Sequence, residues 1–493
     1  MSISIKLDPD IVTPVYNPAI LVLDSTKKTE GSFQFRVDIN DEDTGILLSR
    51  TKYSANLEGY GVIDLHKHLE TQVETEKPFT ATTLFQIAPQ SFVHYDLDLA
   101  EIYTYYWPYE STSGSTGESG KVIFSGLNNT HVFEVDDCVT ISSTTVNAYS
   151  GNTLITKIID DKRVQTNIDY EAGTSGDTGS LVLCSKGTSV LTGTTNFSGE
   201  KYAFNGVRSF DDFIDWEGTT YVPTGSTSKF MTSVTDNYQM DLQDRCWILI
   251  PNLSTNIEYI QIESPNGVFQ ASNPFVGSTD PTFQPHQKFL LLGVGPYNIN
   301  NVTSTVSIIS GSKPVVRASD VGTTGYSITI FDAGDAKRSE TKIFKVRDDG
   351  CSKYEIFRFL FLDRFGSYMT ASFDRVNRRN VELEKTNYRQ NIGAYDPITN
   401  TWGYRLDDRG KKRLDTIVRK RYTITSNWVT EERARLIEEM IKSPEVYWVN
   451  ENNVYRSIDI LTTSFEEKLR VNDHIFNYQI DFEISGLDPQ QKG

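Results

Sequence analysis

The sequence predicts a mainly β protein: tandem β-sandwich-like domains, an inserted small β-barrel, and a C-terminal α+β domain with one helix over an antiparallel meander. Three observations support this fold class. Val, Ile, Thr, Tyr and Phe recur in short runs bounded by Gly, Asn, Asp and Ser, which is typical of strands and turns. The most apolar run, residues 351–373, contains two strand-length halves separated by a turn. A well-patterned amphipathic helix occurs near the C-terminus.

The first two predicted domains are an N-terminal β-sandwich, residues 1–120, and an inserted barrel, residues 121–186. In the sandwich, apolar residues at 33, 35, 37 and 39 alternate with polar ones, so one strand face is apolar. The next segment has many very short strands separated by turns. This pattern predicts a small barrel, because closure removes exposed strand edges. A Ser/Gly-rich linker, residues 111–120, precedes it.

A second sandwich-like region is predicted for residues 187–373, and it ends in the apolar run. Residues 354–362 are apolar on both faces of a strand. The segment from Asp363 to Gly366 has turn composition, because Gly takes positive φ without steric cost. Residues 368–373 then return as a second strand. We therefore expect a core hairpin between two layers.

The C-terminal α+β domain is predicted for residues 426–493. Thr430 is a candidate N-cap, and acidic residues follow it in the first turn. A helical stripe follows, formed by Ala434, Ile437, Met440 and Ile441. The last strand, around residues 476–484, alternates apolar and polar residues, so one face is expected to be buried.

Residues 374–425 form a predicted extended basic arm. Basic and aromatic residues crowd here in an otherwise acidic chain, and apolar periodicity is weak. We expect a long arm or paired loop that a partner chain orders. It has three possible uses: binding acidic surfaces of neighbouring subunits, remaining a solvated loop, or contacting nucleic acid. The predicted inter-subunit residues are Arg375, Arg378, Arg379, Arg389, Trp402, Arg409, Lys411, Lys412, Arg413 and Arg421.

Composition limits the function classes. The net charge of −17 argues against a chain that coats nucleic acid. Contact with nucleic acid is then expected only where a genome passes the protein. The four cysteines are far apart without a CxxC pair, so we expect buried free thiols. No secretory signal and no membrane span are expected, which predicts synthesis in a cytoplasm.

Catalytic and metal-binding signatures are missing from the sequence. His66 and His68 are two residues apart and would lie on the same side of a strand, but no HExxH pattern or further ligand cluster accompanies them. Adjacent carboxylates are common in turns, where they usually only solvate the turn. A glycosidase needs two carboxyls at a fixed separation in a cleft, which a sequence does not reveal. We therefore predict no enzyme, no cofactor and no metal site.

Several segments resemble a structural tail-region protein of crAss-like bacteriophages, which infect Bacteroidetes. These segments are VYNPAILVLDST (15–26), FQFRVDI (33–39), GVGPYN (293–298) and KYEIFRFLFLDRFGSYMTASF (353–373). The resemblance is best over residues 14–40 and 290–390. It implies a virion component in the tail or neck, made in the host bacterial cytoplasm. It also implies a ring of identical subunits that contacts other tail or neck virion proteins, and it implies no activity.

Three functions remain open at this point. The first is a structural ring, collar or tail-hub protein that connects neighbouring tail proteins. The second is a glycan-binding tail adhesin, which the exposed Tyr and Trp residues of a β protein would suit. The third is a hydrolase of host surface glycan, for which no acid/base signature appears.

Overall fold

The structure is a computed structural model of the 493-residue chain. It describes residues 3–29, 31–79, 83–104, 107–111, 120–125, 133, 135–143, 151–160, 162–169, 178–183, 192–196, 200–253, 257–276, 285–302, 306–311, 325–347, 354–426, 429–462 and 475–486. Strands dominate this part of the chain, which confirms the mainly β fold class. The longest α-helix described has 12 residues, and no described helix is long and apolar enough to cross a membrane.

The chain divides into two compact units. Unit 1 comprises Met1–Gln72 and Val93–Ala203, and unit 2 comprises Val73–Phe92 and Phe204–Gly493. One short helix, α1, spans His66–Leu69. The first sixteen strands are β1 (Ile3–Leu7), β2 (Val12–Pro14), β3 (Ile20–Ser25), β4 (Gly31–Asp41), β5 (Leu47–Ser54), β6 (Gly61–Asp64), β7 (Phe85–Ile87), β8 (Phe92–Thr104), β9 (Trp107–Ser111), β10 (Lys121–Ser125), β11 (Cys138–Ser143), β12 (Gly151–Asp160), β13 (Arg163–Asp169), β14 (Thr178–Leu183), β15 (Thr192–Asn196) and β16 (Lys201–Phe204).

Two sheets face each other in unit 1. One has the strand order β1-β3-β6, and the other has the order β2-β16-β8-β4-β5, with β15 paired to β8. A Cβ atom on Gly61 of β6 would lie 2.5 Å from a ring carbon of Phe35 in β4, so only glycine fits there. Phe35, Val37 and Ile39 are fully buried between the sheets, as their alternation predicts.

Six strands form the inserted barrel. Their pairing follows β10-β13-β12-β11-β14-β9 and returns to β10, around a small core that includes Phe124, Ile155 and Val164. The barrel therefore begins at β9, which corrects the predicted boundary at residue 121. Closure requires a strand that pairs with the free edges of both β10 and β14, and β9 supplies it. Most of the predicted linker, residues 112–119, lies outside the described residues.

The cysteines differ from the expectation. Cys138 in the barrel is disulfide-bonded, whereas Cys246 in unit 2 is a buried free thiol. Disulfide pairing depends on proximity in the fold, which spacing along the chain does not reveal. Cys184 and Cys351 lie outside the described residues.

Unit 2 contains the remaining elements. The helices are α2 (Phe210–Ile214), α3 (Pro296–Asn300) and α4 (Glu431–Lys442). The strands are β17 (Tyr238–Asp241), β18 (Trp247–Pro251), β19 (Tyr259–Ser264), β20 (Gly267–Ser272), β21 (Phe289–Gly293), β22 (Val306–Gly311), β23 (Tyr326–Phe331), β24 (Lys342–Arg347), β25 (Phe357–Leu362), β26 (Tyr368–Phe373), β27 (Asn377–Arg389), β28 (Ala394–Asp396), β29 (Thr401–Gly403), β30 (Lys411–Thr425), β31 (Val429–Thr430), β32 (Val446–Val449), β33 (Tyr455–Ile460), β34 (Ile475–Phe476) and β35 (Gln479–Ile484).

Three larger sheets build unit 2 around one continuous core. Their orders are β17-β24-β23-β19-β20-β22, β18-β21-β7 and β26-β25-β32-β33-β35-β30-β27, and the pairs β28-β29 and β31-β34 are separate. Phe344 of the first sheet, Leu290 of the second and Phe359 of the third belong to the same apolar cluster. The predicted core hairpin is present as β25 and β26, and both strands are almost entirely buried.

The seven-stranded sheet crosses the predicted domain boundaries at residues 373 and 425. Strand β25 pairs with β32, and β30 pairs with β35, so the core hairpin, the arm and the C-terminal strands share one sheet. This corrects the division into separate regions 187–373, 374–425 and 426–493. The reason is that β25, apolar on both faces, needs strand partners on both edges and layers on both sides.

Helix α4 covers this core as the sequence predicts. Its N-cap residue is Thr430, in an extended conformation, although the Thr430 side chain makes no capping hydrogen bond. The predicted stripe residues Ala434, Ile437 and Met440 are buried, and Ile441 is partly buried. Leu436 is buried as well, so the apolar face is wider than the predicted stripe.

Candidate functional site

The predicted basic arm is a long β-hairpin. Strands β27 and β30 pair antiparallel from Asn377 opposite Ile424 to Arg389 opposite Lys411. The backbone of each strand therefore has hydrogen-bonding partners along the edge that faces the other strand. The segment therefore corresponds to the long paired alternative of the prediction, and its weak apolar periodicity reflects exposure on both faces.

The hairpin leaves the core of unit 2 after its first three residue pairs. Tyr422 and Ile424 of β30 are buried in the core at the root. Beyond them every residue of β27 from Arg378 to Arg389 is exposed. Val381 and Leu383 are each 53% exposed, so apolar side chains continue along the hairpin into solvent.

The strand register sorts the charges onto two faces, because residues directly opposite each other in an antiparallel pair point to the same side. We call one side the cationic face; it carries basic and apolar residues and no carboxylate. The cationic face comprises Arg379, Val381, Leu383, Lys385, Asn387, Arg389, Lys411, Arg413, Thr416, Val418 and Lys420. We call the other side the mixed face. The mixed face comprises Arg378, Asn380, Glu382, Glu384, Thr386, Tyr388, Lys412, Asp415, Ile417, Arg419, Arg421 and Thr423.

On the mixed face, ion pairs within the chain neutralise two of the three carboxylates, Glu382 and Glu384. The Arg421 guanidinium donates a hydrogen bond of 3.0 Å to Glu382 and lies 3.6 Å from Glu483. Arg419 lies 4.0 Å from Glu384. These pairs are largely exposed, so each contributes little to stability. Their effect is to leave this face without a strong net field.

Three charges toward the outer end of the cationic face have no such compensation. The Arg379 guanidinium lies 5.7 Å from the centroid of the Tyr422 ring, a cation–π distance. In the part of the chain that the structure describes, Arg389, Lys411 and Arg413 form no ion pair. Uncompensated cations thus lie beyond the apolar stripe of Val381, Leu383 and Val418, toward the tip.

The far end of the hairpin is a compact tip built from β28 and β29. The indole N–H of Trp402 donates to the carbonyl of Ile392 at 2.9 Å. The backbone N–H of Ile398 donates to Asp396 at 2.9 Å and is the main reason why the pKa of that carboxyl lies below its usual value. Gly393 has a φ of +95°, and a Cβ atom there would lie 2.5 Å from the Gly403 carbonyl oxygen. The tip is therefore ordered by its own local contacts.

We expect Gly393→Ala to open the tip, because the backbone conformation is strained for a side chain and the space is filled. The strain should be about 1–3 kcal/mol. Hydrogen exchange of residues 390–410 should accelerate. The matched control is Gly403→Ala, where a Cβ atom would meet only the Ala394 oxygen at 3.9 Å. Equal exchange rates in both variants would contradict the prediction that the turn at Gly393 keeps the tip closed.

The structure distributes the ten predicted residues over four places. Arg379, Arg389, Lys411 and Arg413 lie together on the cationic face, and Arg378, Lys412 and Arg421 lie on the mixed face. Arg375 precedes β27 and lines an open depression of about 740 Å³ at the root. Trp402 lies in the tip. At the base of the tip, the side-chain amide of Gln390 donates a hydrogen bond to the backbone carbonyl of Arg409.

Sequence reasoning missed the apolar residues of the cationic face, Val381, Leu383 and Val418, and two of its lysines, Lys385 and Lys420. Residues 381–384 do alternate apolar and acidic. That alternation was the available signal for a two-faced strand.

A second cavity of unit 2, about 970 Å³, contains several carboxylates. Arg364 donates to Glu439 at 2.6 Å and to Asp212 at 2.7 Å, which neutralises both. Asp363 is 4% exposed, and one of its oxygens accepts the backbone N–H groups of Phe365 and Ser367 at 2.9 and 3.0 Å. These carboxylates thus hold the turn after β25. Among the described residues no group of three or more His, Cys, Asp or Glu side chains could hold a metal ion.

Comparisons with known proteins identify no family. No protein-family model matches the chain, and no curated protein matches it. Among solved structures, the chain is similar to the phage phi92 endosialidase, with 9% sequence identity and a TM-score of 0.17, over 99% of this chain and 68% of that chain. At this TM-score the likeness carries no argument about fold or function.

Proposed function

We propose that this chain is a structural component of a tailed-phage virion, in the tail or neck. It assembles with identical copies into a ring and connects neighbouring tail proteins. The phage assignment follows from the sequence resemblance described above. The observation that carries the assembly role is the hairpin, which projects apolar and uncompensated cationic side chains away from any core of its own.

Such a projection is typical of an interaction surface. A lone two-stranded hairpin buries too little apolar area to be stable by itself in water. Clustered apolar side chains that remain exposed usually mark a surface that a partner covers. Long exposed edge strands also invite pairing with other chains, and natural proteins cover or charge them. Strand β27 is the last strand of its sheet and carries charges.

Charge favours a second copy as the partner. Residues 374–425 hold thirteen basic and seven acidic side chains, a net charge of +6. The other residues of the chain carry −23. A contact between the hairpin of one copy and a different surface of the next is heterologous, and heterologous contacts close into rings when the rotation allows. The mechanism is mechanical, and no reaction is part of it.

Shortening the hairpin tests this role. Replacing residues 384–417 with Asn-Gly joins Leu383 to Val418, which lie opposite each other, through a tight turn. Tyr422 and Ile424 keep their places in the core. We expect folded monomers with an unchanged urea midpoint that no longer form the oligomer, measured by sedimentation velocity and by electron microscopy of the assembly. A shortened variant that assembles like the wild type would refute the proposed function.

A glycan-binding adhesin is the second candidate, because the tip exposes aromatic rings suited to sugar stacking. Tyr395, Trp402 and Tyr404 are 56%, 47% and 74% exposed. Binding of host polysaccharide that Tyr404→Ala abolishes would favour this role over ring assembly. Release of reducing ends from that polysaccharide would instead favour the third role, a surface-glycan hydrolase.

A further inference from the structure

We infer that the cationic face of the hairpin, and not its mixed face, is the surface that binds a second copy of this chain. The surface that it binds on that copy is rich in carboxylates. This inference rests on the proposed function and deepens it, because it names the binding surface and the chemistry of its partner.

The first argument is the separation of charge. The three carboxylates of the two long strands, Glu382, Glu384 and Asp415, all fall on the mixed face. The cationic face has six basic side chains and no acidic one. Solubility does not account for such a face in a chain with a net charge of −17, because the acidic residues elsewhere already keep the chain soluble.

The second argument is the order of side chains along the face. Val381, Leu383 and Val418 form its centre, with Leu383 directly opposite Val418. Lys385, Arg389, Lys411 and Arg413 lie farther out, and Arg379 and Lys420 lie toward the root. An apolar centre with a charged rim is the usual anatomy of a protein–protein interface, in which arginine is enriched.

The third argument excludes the mixed face. Docking there would desolvate the Glu382–Arg421 pair, whose hydrogen bond is 3.0 Å long, and the Glu384–Arg419 pair. A buried ion pair recovers its desolvation energy only with excellent geometry. The cations of the opposite face gain new partners on docking and break no ion pair of Arg389, Lys411 or Arg413.

The occupant is a second copy because charge complementarity favours it. Residues outside 374–425 carry −23, and the face presents only positive charge. Complementary potentials raise the rate of association and orient the partners. The binding surface is therefore expected to lie among the acidic residues of the neighbouring copy, outside its own hairpin.

The experiment compares two double charge reversals in the full chain. Lys411→Glu with Arg413→Glu changes the cationic face, and Lys412→Glu with Arg419→Glu changes the mixed face. Both alter the net charge by the same amount, and all four positions lie in the exposed hairpin. We expect the first double variant to raise the dissociation constant of the assembly about tenfold or more, and the second to change it by no more than about twofold. Urea midpoints should be unchanged in both.

A zero-length carboxyl–amine cross-linker applied to a mixture of isotope-labelled and unlabelled chains supplies a second measurement. Mixed-isotope cross-links from Lys385, Lys411 or Lys420 to Asp or Glu outside residues 374–425 would support the inference. Equal weakening by both charge reversals, or by neither, would overturn it while the proposed function stands. Assembly of the shortened hairpin variant would instead remove the proposed function itself.

Discussion

Raising the pH from about 4 to about 8 is expected to lower the free energy of unfolding of unit 2 by several kcal/mol. Burial raises the pKa of Asp363 to about 7, with a smaller contribution from Glu439. Burial also raises the pKa of Asp244 to about 7, followed by the nearby charge of Asp241. Each carboxyl is almost completely inaccessible to solvent, so ionisation in the folded chain is unfavourable.

The sign follows from proton linkage. An acid whose pKa is higher in the folded chain binds its proton more tightly there. Its stabilising contribution is complete below about pH 4, the unfolded pKa, and is lost as the pH rises through about 7. For each carboxyl the raised pKa corresponds to a loss on the order of a few kcal/mol. Urea unfolding followed by Trp fluorescence, with Trp247 and Trp448 buried in unit 2, measures the change.

The matched control is Asp363→Asn, which cannot ionise but keeps an oxygen that accepts from Phe365 and Ser367. It should remove about half of the pH dependence and be more stable than the wild type at pH 8. Asp396→Asn at the exposed tip should leave the dependence unchanged, because the pKa of Asp396 is already lowered. A wild-type stability that stays constant or rises between about pH 5 and 8 would contradict the burial argument.

Phe359→Ala is expected to destabilise unit 2 by about 3–5 kcal/mol, because it leaves a cavity in a close-packed core. Phe359 is 1% exposed at the centre of β25, between β26 and β32. Its ring packs edge-on against Phe482 at 5.0 Å and against Phe373 at 5.6 Å between centroids. The deleted ring thus contacts β26, an end strand of the seven-stranded sheet, and β35, its fifth strand.

Leu383→Ala is the matched control for Phe359→Ala, since it removes a large apolar side chain from the same sheet at an exposed position. Its effect on the free energy of unfolding should be about 0.5 kcal/mol or less. Urea unfolding at fixed pH compares the two variants. Equal losses in both would mean that the hairpin packs against the core of its own chain, contrary to its exposure.

Local patterns predicted much of the fold. The alternation of Phe35, Val37 and Ile39 placed one strand in a sandwich, and the turn at Asp363–Gly366 defined the core hairpin. Gly366 indeed has a φ of +76°. These predictions succeeded because periods of 2 and 3.6 residues follow from burying one side of a strand or helix.

Pairings between distant segments were not predicted from the sequence. Strand β9 closes the barrel, and β25 shares a sheet with β30, β33 and β35. Such contacts depend on which strand edges remain unpaired after the local elements form. No local sequence pattern shows which edges these are. For the candidate site, the sequence predicted the arm and its basic residues but not which of them share a face.

The sequence by itself determined that residues 374–425 are basic and have no apolar core of their own. Only the tertiary structure decided how those charges are arranged. A bulge at Leu414 shifts the register between Thr386 and Asn387, so Arg413 pairs with Asn387 instead of Tyr388. Since strand side chains alternate between faces, this one-residue shift moves Lys411 and Arg413 onto the cationic face and Lys412 off it.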